Sequence, residues 1–144
     1  MYSTGFGQLS TLHFTEVGYR VVAGCLTAQG CEELQSVRPP LLSSCARPNV
    51  NLLSQRTKRK DLLSTVVCNV TKETDVIDAV RAVEAASTRG ARLWAIVNNA
   101  GIVDGSLLDL TQVSQYRNTM EVNFLGLVSV CKHFLRTYMQ TFIY

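Results

Sequence analysis

Short apolar runs alternate with amphipathic stretches along this chain of 144 residues, and the alternation predicts strands alternating with helices. Three runs have the length and composition of buried strands: Tyr19–Leu26, Leu62–Val70 and Leu93–Val97. The stretches with helical spacing are Gln8–Val17, Ala28–Val37, Thr71–Glu84, a short one within Leu107–Asn118, and Asn118–Tyr138. This order calls for a parallel sheet with helices on both faces, so the expected fold class is α/β.

Local signals mark the ends of the predicted helices. Gly18 is a natural stop for the first helix, Thr27 can cap the second, and Thr71 can cap the third. In the last and longest helix, the apolar positions expected on one side are Val122, Leu125, Val128 and Cys131.

The composition changes between Arg38 and Asp61. This stretch holds all three prolines, several serines and the cluster Lys58-Arg59-Lys60, and it is predicted to be a flexible insertion at about 38–61. The length of the chain fits one domain. Because the net charge is only +3, the basic cluster is interpreted as a solvated charge run, and no nucleic-acid partner is expected.

Cysteine and histidine positions give no sign of a metal site. The five cysteines form no Cys-x-x-Cys pair, and their odd number argues against a closed disulfide framework, which favours a reduced compartment. No Cys/His cluster has the spacing of zinc ligands, and His13 and His133 are interpreted as structural. No secretory signal is visible, and no run reaches the roughly 18 apolar residues of a membrane-spanning helix.

Two short segments have the composition of ligand-binding turns. Gly5-Phe6-Gly7 precedes the first helix, where glycines let the backbone approach a phosphate; alone, this signal is weak, because a flexible chain end has the same composition. Asn98-Asn99-Ala100-Gly101 follows the third predicted strand at its carboxyl end, where open α/β sheets place ligands. Asn123 lies in an otherwise apolar helix and needs a polar partner, either a water at a kink or the backbone.

These segments resemble the short-chain dehydrogenase/reductase family. The resemblance rests on Asn98–Gly101, on Met120–Gly126 and, more loosely, on Gly5–Gly7 together with Gly18–Thr27. It is closest to the branch that acts on retinol, 17β-hydroxysteroids and 3-hydroxybutyrate. It implies that residues 1–144 form part of a dinucleotide-binding domain with a Rossmann-type doubly wound parallel sheet, from which the first strand and the C-terminal half are expected to be missing.

The resemblance also implies which residues bind the coenzyme. Gly5, Phe6 and Gly7 correspond to the family's phosphate-binding loop, Asn69 and Val70 border the adenine ring, and Asn98–Gly101 line the cofactor cleft. NAD is favoured over NADP, because this branch commonly uses NAD with a similar Cys-Leu ending of the second strand. Neither an acidic residue nor an arginine stands at Gly24–Thr27, so the residues themselves do not decide between the two.

The catalytic residue implied by the resemblance is Asn123, which in the family helps to hold a water in the proton relay. The implied activity is hydride transfer between NAD(P) and a hydrophobic alcohol, retinol-like or steroid-like, or its carbonyl. The family's catalytic Tyr-x-x-x-Lys pair is absent, because no tyrosine of this chain is followed by lysine four residues later, and the serine-bearing strand is absent too. We therefore expect this chain to be inactive.

The alternative to an enzyme is a non-catalytic interaction protein. Such a chain would pair with a full-length relative through the 118–138 helix, which lies at the main dimer interface of the family, and homo-oligomers would form through the same helix. By the same resemblance we expect an intracellular location, in the endoplasmic reticulum or the mitochondrion. Membrane attachment stays open, because many relatives carry an N-terminal anchor.

Overall fold

The computed structural model describes residues 5–36, 62–87 and 92–142, so the insertion predicted at about 38–61 lies outside the described residues. The chain divides into two units, Met1–Val66 and Val67–Tyr144. The first unit contains α1 (Phe6–Val17), β1 (Val21–Cys25), α2 (Ala28–Ser36) and all but the last residue of β2 (Leu63–Val67). The second contains α3 (Glu73–Ala86), α4 (Val113–Met120), a π-helical segment (Glu121–Gly126) and α5 (Leu127–Phe142).

The first unit is built around a parallel pair of strands, β1 and β2. Both α1 and α2 pack against β1. The core is formed by residues of β1 and α2, with one further contact from β2; its members are Ala23, Cys25, Cys31, Leu34 and Leu63. This arrangement of helices on a parallel sheet confirms the predicted α/β class.

Two of the predicted helix ends are confirmed. Gly18 adopts φ 106°, a left-handed conformation that glycine takes without a steric cost, and its N–H donates to the carbonyl of Thr15 at 3.2 Å. At the start of α2, the Gly30 N–H donates to the Thr27 hydroxyl at 3.1 Å. Both signals are local in sequence, and so they can be read without knowledge of the fold.

The prediction that Thr71 caps the third helix is wrong. The helix α3 begins at Glu73, and the residue before it, Lys72, makes no side-chain capping bond. The Thr71 hydroxyl donates to Oδ1 of Asn69 at 2.8 Å instead. Since a threonine can bond to a preceding side chain as well as to the helix, the residue type alone does not decide its role.

The prediction of a third strand at Leu93–Val97 is also wrong. Over 92–106 the chain forms neither helix nor strand, and the sheet in the described part of the molecule has two strands only. Trp94 is 67% exposed and Val97 is 61% exposed. An apolar run indicates a tendency to be buried, but a strand also needs a neighbour that accepts and donates its backbone hydrogen bonds.

The second unit is organised by the packing of α3 against α5. Their fully or nearly fully buried side chains are Val76, Ala79, Val130 and Phe134. The other apolar side of the long helix, with Leu125, Val128 and Cys131, is exposed. Because this helix is apolar on more than one side, helical spacing does not identify its buried face.

The long helix predicted at Asn118–Tyr138 runs without a break from Val113 to Phe142 through the π-helical segment. It therefore starts five residues earlier than predicted and includes α4. A π-helical turn is a rare departure from regular helix and is frequently found at functional sites. Across the ranges 5–36, 62–87 and 92–142, no helix combines the length and apolar character that a membrane crossing requires.

Candidate functional site

The segment that follows the third apolar run is held against the long helix by side-chain contacts. The Ile102 N–H donates to Oδ1 of Asn123 at 2.8 Å, and Nδ2 of Asn123 donates to the carbonyl of Ile102 at 2.8 Å. Nearer the start of the segment, Nδ2 of Asn98 lies 3.5 Å from Sγ of Cys131. One helix thus contacts the predicted motif Asn98–Gly101 at its first residue and directly after its last.

Asp104 provides a further attachment that sequence analysis does not find. Its carboxylate accepts from Nε2 of Gln115 at 3.0 Å and from Nδ2 of Asn118 at 3.3 Å. Its carbonyl accepts from the Thr119 hydroxyl at 3.4 Å. The next residue, Gly105, adopts φ 127°, so the chain turns here in a conformation that favours glycine. The Asp-Gly pair is the sequence signal that could have predicted this turn.

The order of these contacts fixes the direction of the segment. As the chain advances from Asn98 to Asp104, its partners move back along the helix from Cys131 to Asn118. Six residues of fully extended chain cover about 20 Å. Thirteen residues of helix also cover about 20 Å. The segment is therefore nearly fully extended and runs antiparallel to the helix.

Asn123 lies inside the π-helical segment, and both ends of its amide are used by Ile102. Sequence analysis leaves two partners open for Asn123, a water at a kink or the backbone. In the structure Asn123 bonds to the backbone of Ile102. The pair satisfies one backbone donor and one backbone acceptor in a stretch that has no strand neighbour. The role of Asn123 in a proton relay stays a prediction.

The loop before α3 is ordered around Asn69. Its Oδ1 accepts from the N–H of Thr71 at 3.1 Å and from the hydroxyl of the same residue at 2.8 Å, which forms an Asx turn. Its own N–H donates to Oδ2 of Asp75 at 3.0 Å. Among the described residues Nδ2 of Asn69 has no acceptor. The one side-chain group of Asn69 that is left over is thus a hydrogen-bond donor.

Val70, the next residue of this loop, touches the long helix at Gly126. A Cβ placed on Gly126 would lie 2.6 Å from Cγ2 of Val70, closer than carbon atoms approach each other. Gly126 is buried at the end of the π-helical segment. The same helical segment thus contacts the loop at Asn69–Val70 through Gly126 and the segment after Gly101 through Asn123.

In the first unit, Gly5-Phe6-Gly7 forms the beginning of α1. Gly5 is the N-cap residue with φ 114°, and no side chain caps this end of the helix. Phe6 is 83% exposed. The first N–H groups of a helix carry partial positive charge, so an uncapped glycine turn suits an anionic group.

A surface groove of about 300 Å³ lies in the second unit between the loop before α3 and the long helix. Its lining includes the acidic residues Glu73 and Glu121, the basic residue Lys132, and His133. Nδ1 of His133 donates to the carbonyl of Ser129 at 2.8 Å, and its Nε2 lies 3.0 Å from Oε1 of Glu73. His133 therefore joins α5 to α3, a pairing across 60 residues that the sequence does not predict.

Two of the described cysteines, Cys25 and Cys68, are not activated nucleophiles. Burial, together with the neighbouring Cys31, raises the pKa of Cys25 to about 12. Burial and the carboxylate of Asp75 also raise the pKa of Cys68. A thiol with a raised pKa carries little thiolate at neutral pH. Within the described ranges, no group of three or more His, Cys, Asp or Glu side chains is placed to hold a metal ion.

Comparison with known proteins identifies relatives of this chain. Residues 40–142 match the family model of the short chain dehydrogenases. The chain is 33% identical over 128 residues to retinol dehydrogenase 7 of Mus musculus, across 88% of this chain and 33% of that protein. It is also 33% identical over 129 residues to 17-beta-hydroxysteroid dehydrogenase type 6 of Bos taurus, with the same coverage. The chain spans about a third of the length of these curated relatives.

Solved structures share the fold. The RhlG/NADP active-site complex of Pseudomonas aeruginosa aligns with a TM-score of 0.69 over 95% of this chain and 45% of that chain. Sequence identity in this alignment is 20%, so the likeness concerns the fold alone.

Proposed function

The chain belongs to the short chain dehydrogenase family, and from this premise we propose that it binds a nicotinamide dinucleotide. In the second unit, Asn69 and Val70 would border the adenine, and Asn98–Gly101 would lie along the nicotinamide ribose. The observation that carries the proposal is the Asn123–Ile102 pair, because it holds the backbone after Gly101 in one position before any ligand arrives.

The polar groups that are exposed in these segments are of the kind that a dinucleotide would bind. The residues Asn98–Gly101 are exposed, and Nδ2 of Asn69 is a donor that suits the ring nitrogens of adenine. In the first unit, taken by itself, the uncapped start of α1 at Gly5–Gly7 suits an anionic group such as a phosphate. We favour NAD over NADP on the resemblance to the NAD-using branch, since Gly24–Thr27 offers neither an acidic residue for a ribose hydroxyl nor an arginine for a 2′-phosphate.

The substrate class follows from the relatives. Two of the matched proteins are a retinol dehydrogenase and a 17-beta-hydroxysteroid dehydrogenase, which supports a hydrophobic alcohol or its carbonyl as the proposed substrate class. The bound nicotinamide would supply or accept the hydride. In this chain Asn123 acts as a positioning residue, since its amide holds the backbone of Ile102.

Direct titration tests coenzyme binding. We expect saturable quenching of protein fluorescence by NADH and a weaker response to NADPH. The Asn123→Ala variant should bind NADH at least tenfold more weakly, because Ile102 loses both of its hydrogen bonds to the side chain. Non-saturable quenching by the unsubstituted chain, or equal affinity in the variant, would contradict the proposal.

A second candidate function is a non-catalytic interaction protein. The observation in its favour is the exposed apolar surface of the long helix, where four side chains are between 43% and 58% exposed: Phe124, Leu127, Leu135 and Met139. Exposed apolar surface of this kind commonly marks a protein–protein contact. We propose that a full-length relative packs against the 118–138 helix. Co-elution of the two proteins would support this function, and a chain that stays monomeric beside the relative would contradict it.

A further inference from the structure

Gly126 is placed where any side chain would meet the loop that precedes α3. A Cβ at this position would lie 2.6 Å from Cγ2 and 3.1 Å from Cβ of Val70, and 3.5 Å from the backbone oxygen of Glu121. The first distance is too short for two carbon atoms, and the second is shorter than an ordinary contact. The helix and the loop can therefore approach this closely only because residue 126 is glycine.

Val70 cannot make room by a simple side-chain rotation. A β-branched side chain has few allowed χ1 angles. The overlap with Cγ2 at 2.6 Å therefore has to be relieved by a shift of the Val70 backbone, whereas the Cβ of Val70, at 3.1 Å, would need to move by only a few tenths of an ångström. The residue before it, Asn69, is fixed in the same loop by its bonds to Thr71 and Asp75. A shift of Val70 would therefore move the Asn69 amide as well.

We propose that Gly126 is a positioning residue for the adenine half of the coenzyme site. By lacking a side chain, it sets how closely the Asn69–Val70 loop lies to the helix, and thus where the adenine is held. This inference rests on the proposed function. Gly126 would thus act on the adenine half of the site. Asn123, three residues earlier, holds the segment after Gly101 through its two hydrogen bonds to Ile102.

A Gly126→Ala variant tests the inference with two ligands. We expect the affinity for ADP-ribose, which contains the adenine, to fall at least tenfold. The affinity for reduced nicotinamide mononucleotide should stay within about twofold, because the Asn123–Ile102 pair is untouched. Hydrogen exchange of the Ile102 amide should likewise be unchanged. Isothermal titration calorimetry and exchange followed by NMR give these values.

A second substitution distinguishes displacement of the loop from general damage to the fold. Val70→Ala removes Cγ2, the atom closest to the new carbon, so the Val70→Ala/Gly126→Ala pair should recover ADP-ribose affinity to within threefold of Val70→Ala alone. Val113→Ala, a 64% exposed position of the same long helix, is the control and should bind normally.

Two results would overturn the inference: a Gly126→Ala affinity equal to that of the unsubstituted chain, or a loss that Val70→Ala does not restore. Failure of the unsubstituted chain to bind either ligand would contradict the proposed function itself. In that event the thermal stability of the same variants tests the contact between Gly126 and Val70: Gly126→Ala should melt at a lower temperature and the pair should recover, and equal melting temperatures would contradict the contact.

Discussion

The Asn123 amide joins two parts of the chain that are 21 residues apart by two hydrogen bonds of 2.8 Å to Ile102. Because the pair is exposed, we expect Asn123→Ala to lower the free energy of unfolding by only about 1–2 kcal/mol. The larger effect should be local: the Ile102 amide loses its acceptor and should exchange at least tenfold faster. Urea denaturation and hydrogen exchange measure the two effects. Ser114→Ala, which removes a hydroxyl with a 3.4 Å contact, should change neither, and an unchanged Ile102 exchange rate in Asn123→Ala would refute the pairing.

The buried Cys25 thiol should make stability fall at high pH. Burial raises its pKa from the ordinary 9.0 to about 12, so between these values the folded chain keeps a proton that the unfolded chain releases. Stability from this group is fully present below pH 9 and is lost as the pH rises towards 12. Cys25→Ala removes this dependence and serves as the reference. Denaturation at pH 8, 9.5 and 11 should show the unsubstituted chain losing stability relative to the variant, and parallel curves would count against a buried thiol.

At the scale of elements, the pairing of α3 with α5 depends on a small buried cluster. Val76 is 0% exposed, so Val76→Ala should cost about 2 kcal/mol through lost burial and the cavity left behind. Val113, at the start of α4, is 64% exposed, and Val113→Ala should cost less than about 0.5 kcal/mol. Urea denaturation compares the two variants. Equal costs would mean that α3 and α5 do not share a core in solution.

Features that depend on neighbouring residues could be predicted from the sequence, whereas contacts between distant segments could not. Gly18 and Thr27 end and begin helices through bonds within five residues, so their roles follow from local pattern. The motif Asn98–Gly101 is recognisable for the same reason. By contrast, the contact of Gly126 with Val70 depends on how distant segments pack, which periodicity does not encode. The strand expected at Leu93–Val97 needed a neighbour as well as an apolar pattern.

At the scale of the whole molecule, we predict that coenzyme binding occurs without oxidation of an alcohol. The family's proton transfer uses a tyrosine whose pKa is lowered by a lysine four residues later. Here the residues four positions after Tyr2, Tyr19, Tyr116 and Tyr138 are phenylalanine, alanine, methionine and phenylalanine. A polypeptide of these 144 residues, in which none of these tyrosines has that lysine, should bind NADH without turning over an alcohol.

An absorbance assay at 340 nm tests this separation with retinol, estradiol and 3-hydroxybutyrate as substrates. We expect rates equal to buffer for all three, in the same samples in which NADH quenches protein fluorescence. A full-length retinol dehydrogenase is the positive control for assay and substrate. Mixing the chain with that enzyme should leave its rate per active site unchanged if the chain only binds coenzyme. Alcohol oxidation by the chain alone, above the rate of a heat-denatured sample, would mean that another residue moves the proton, and its pH–rate profile would then identify the group.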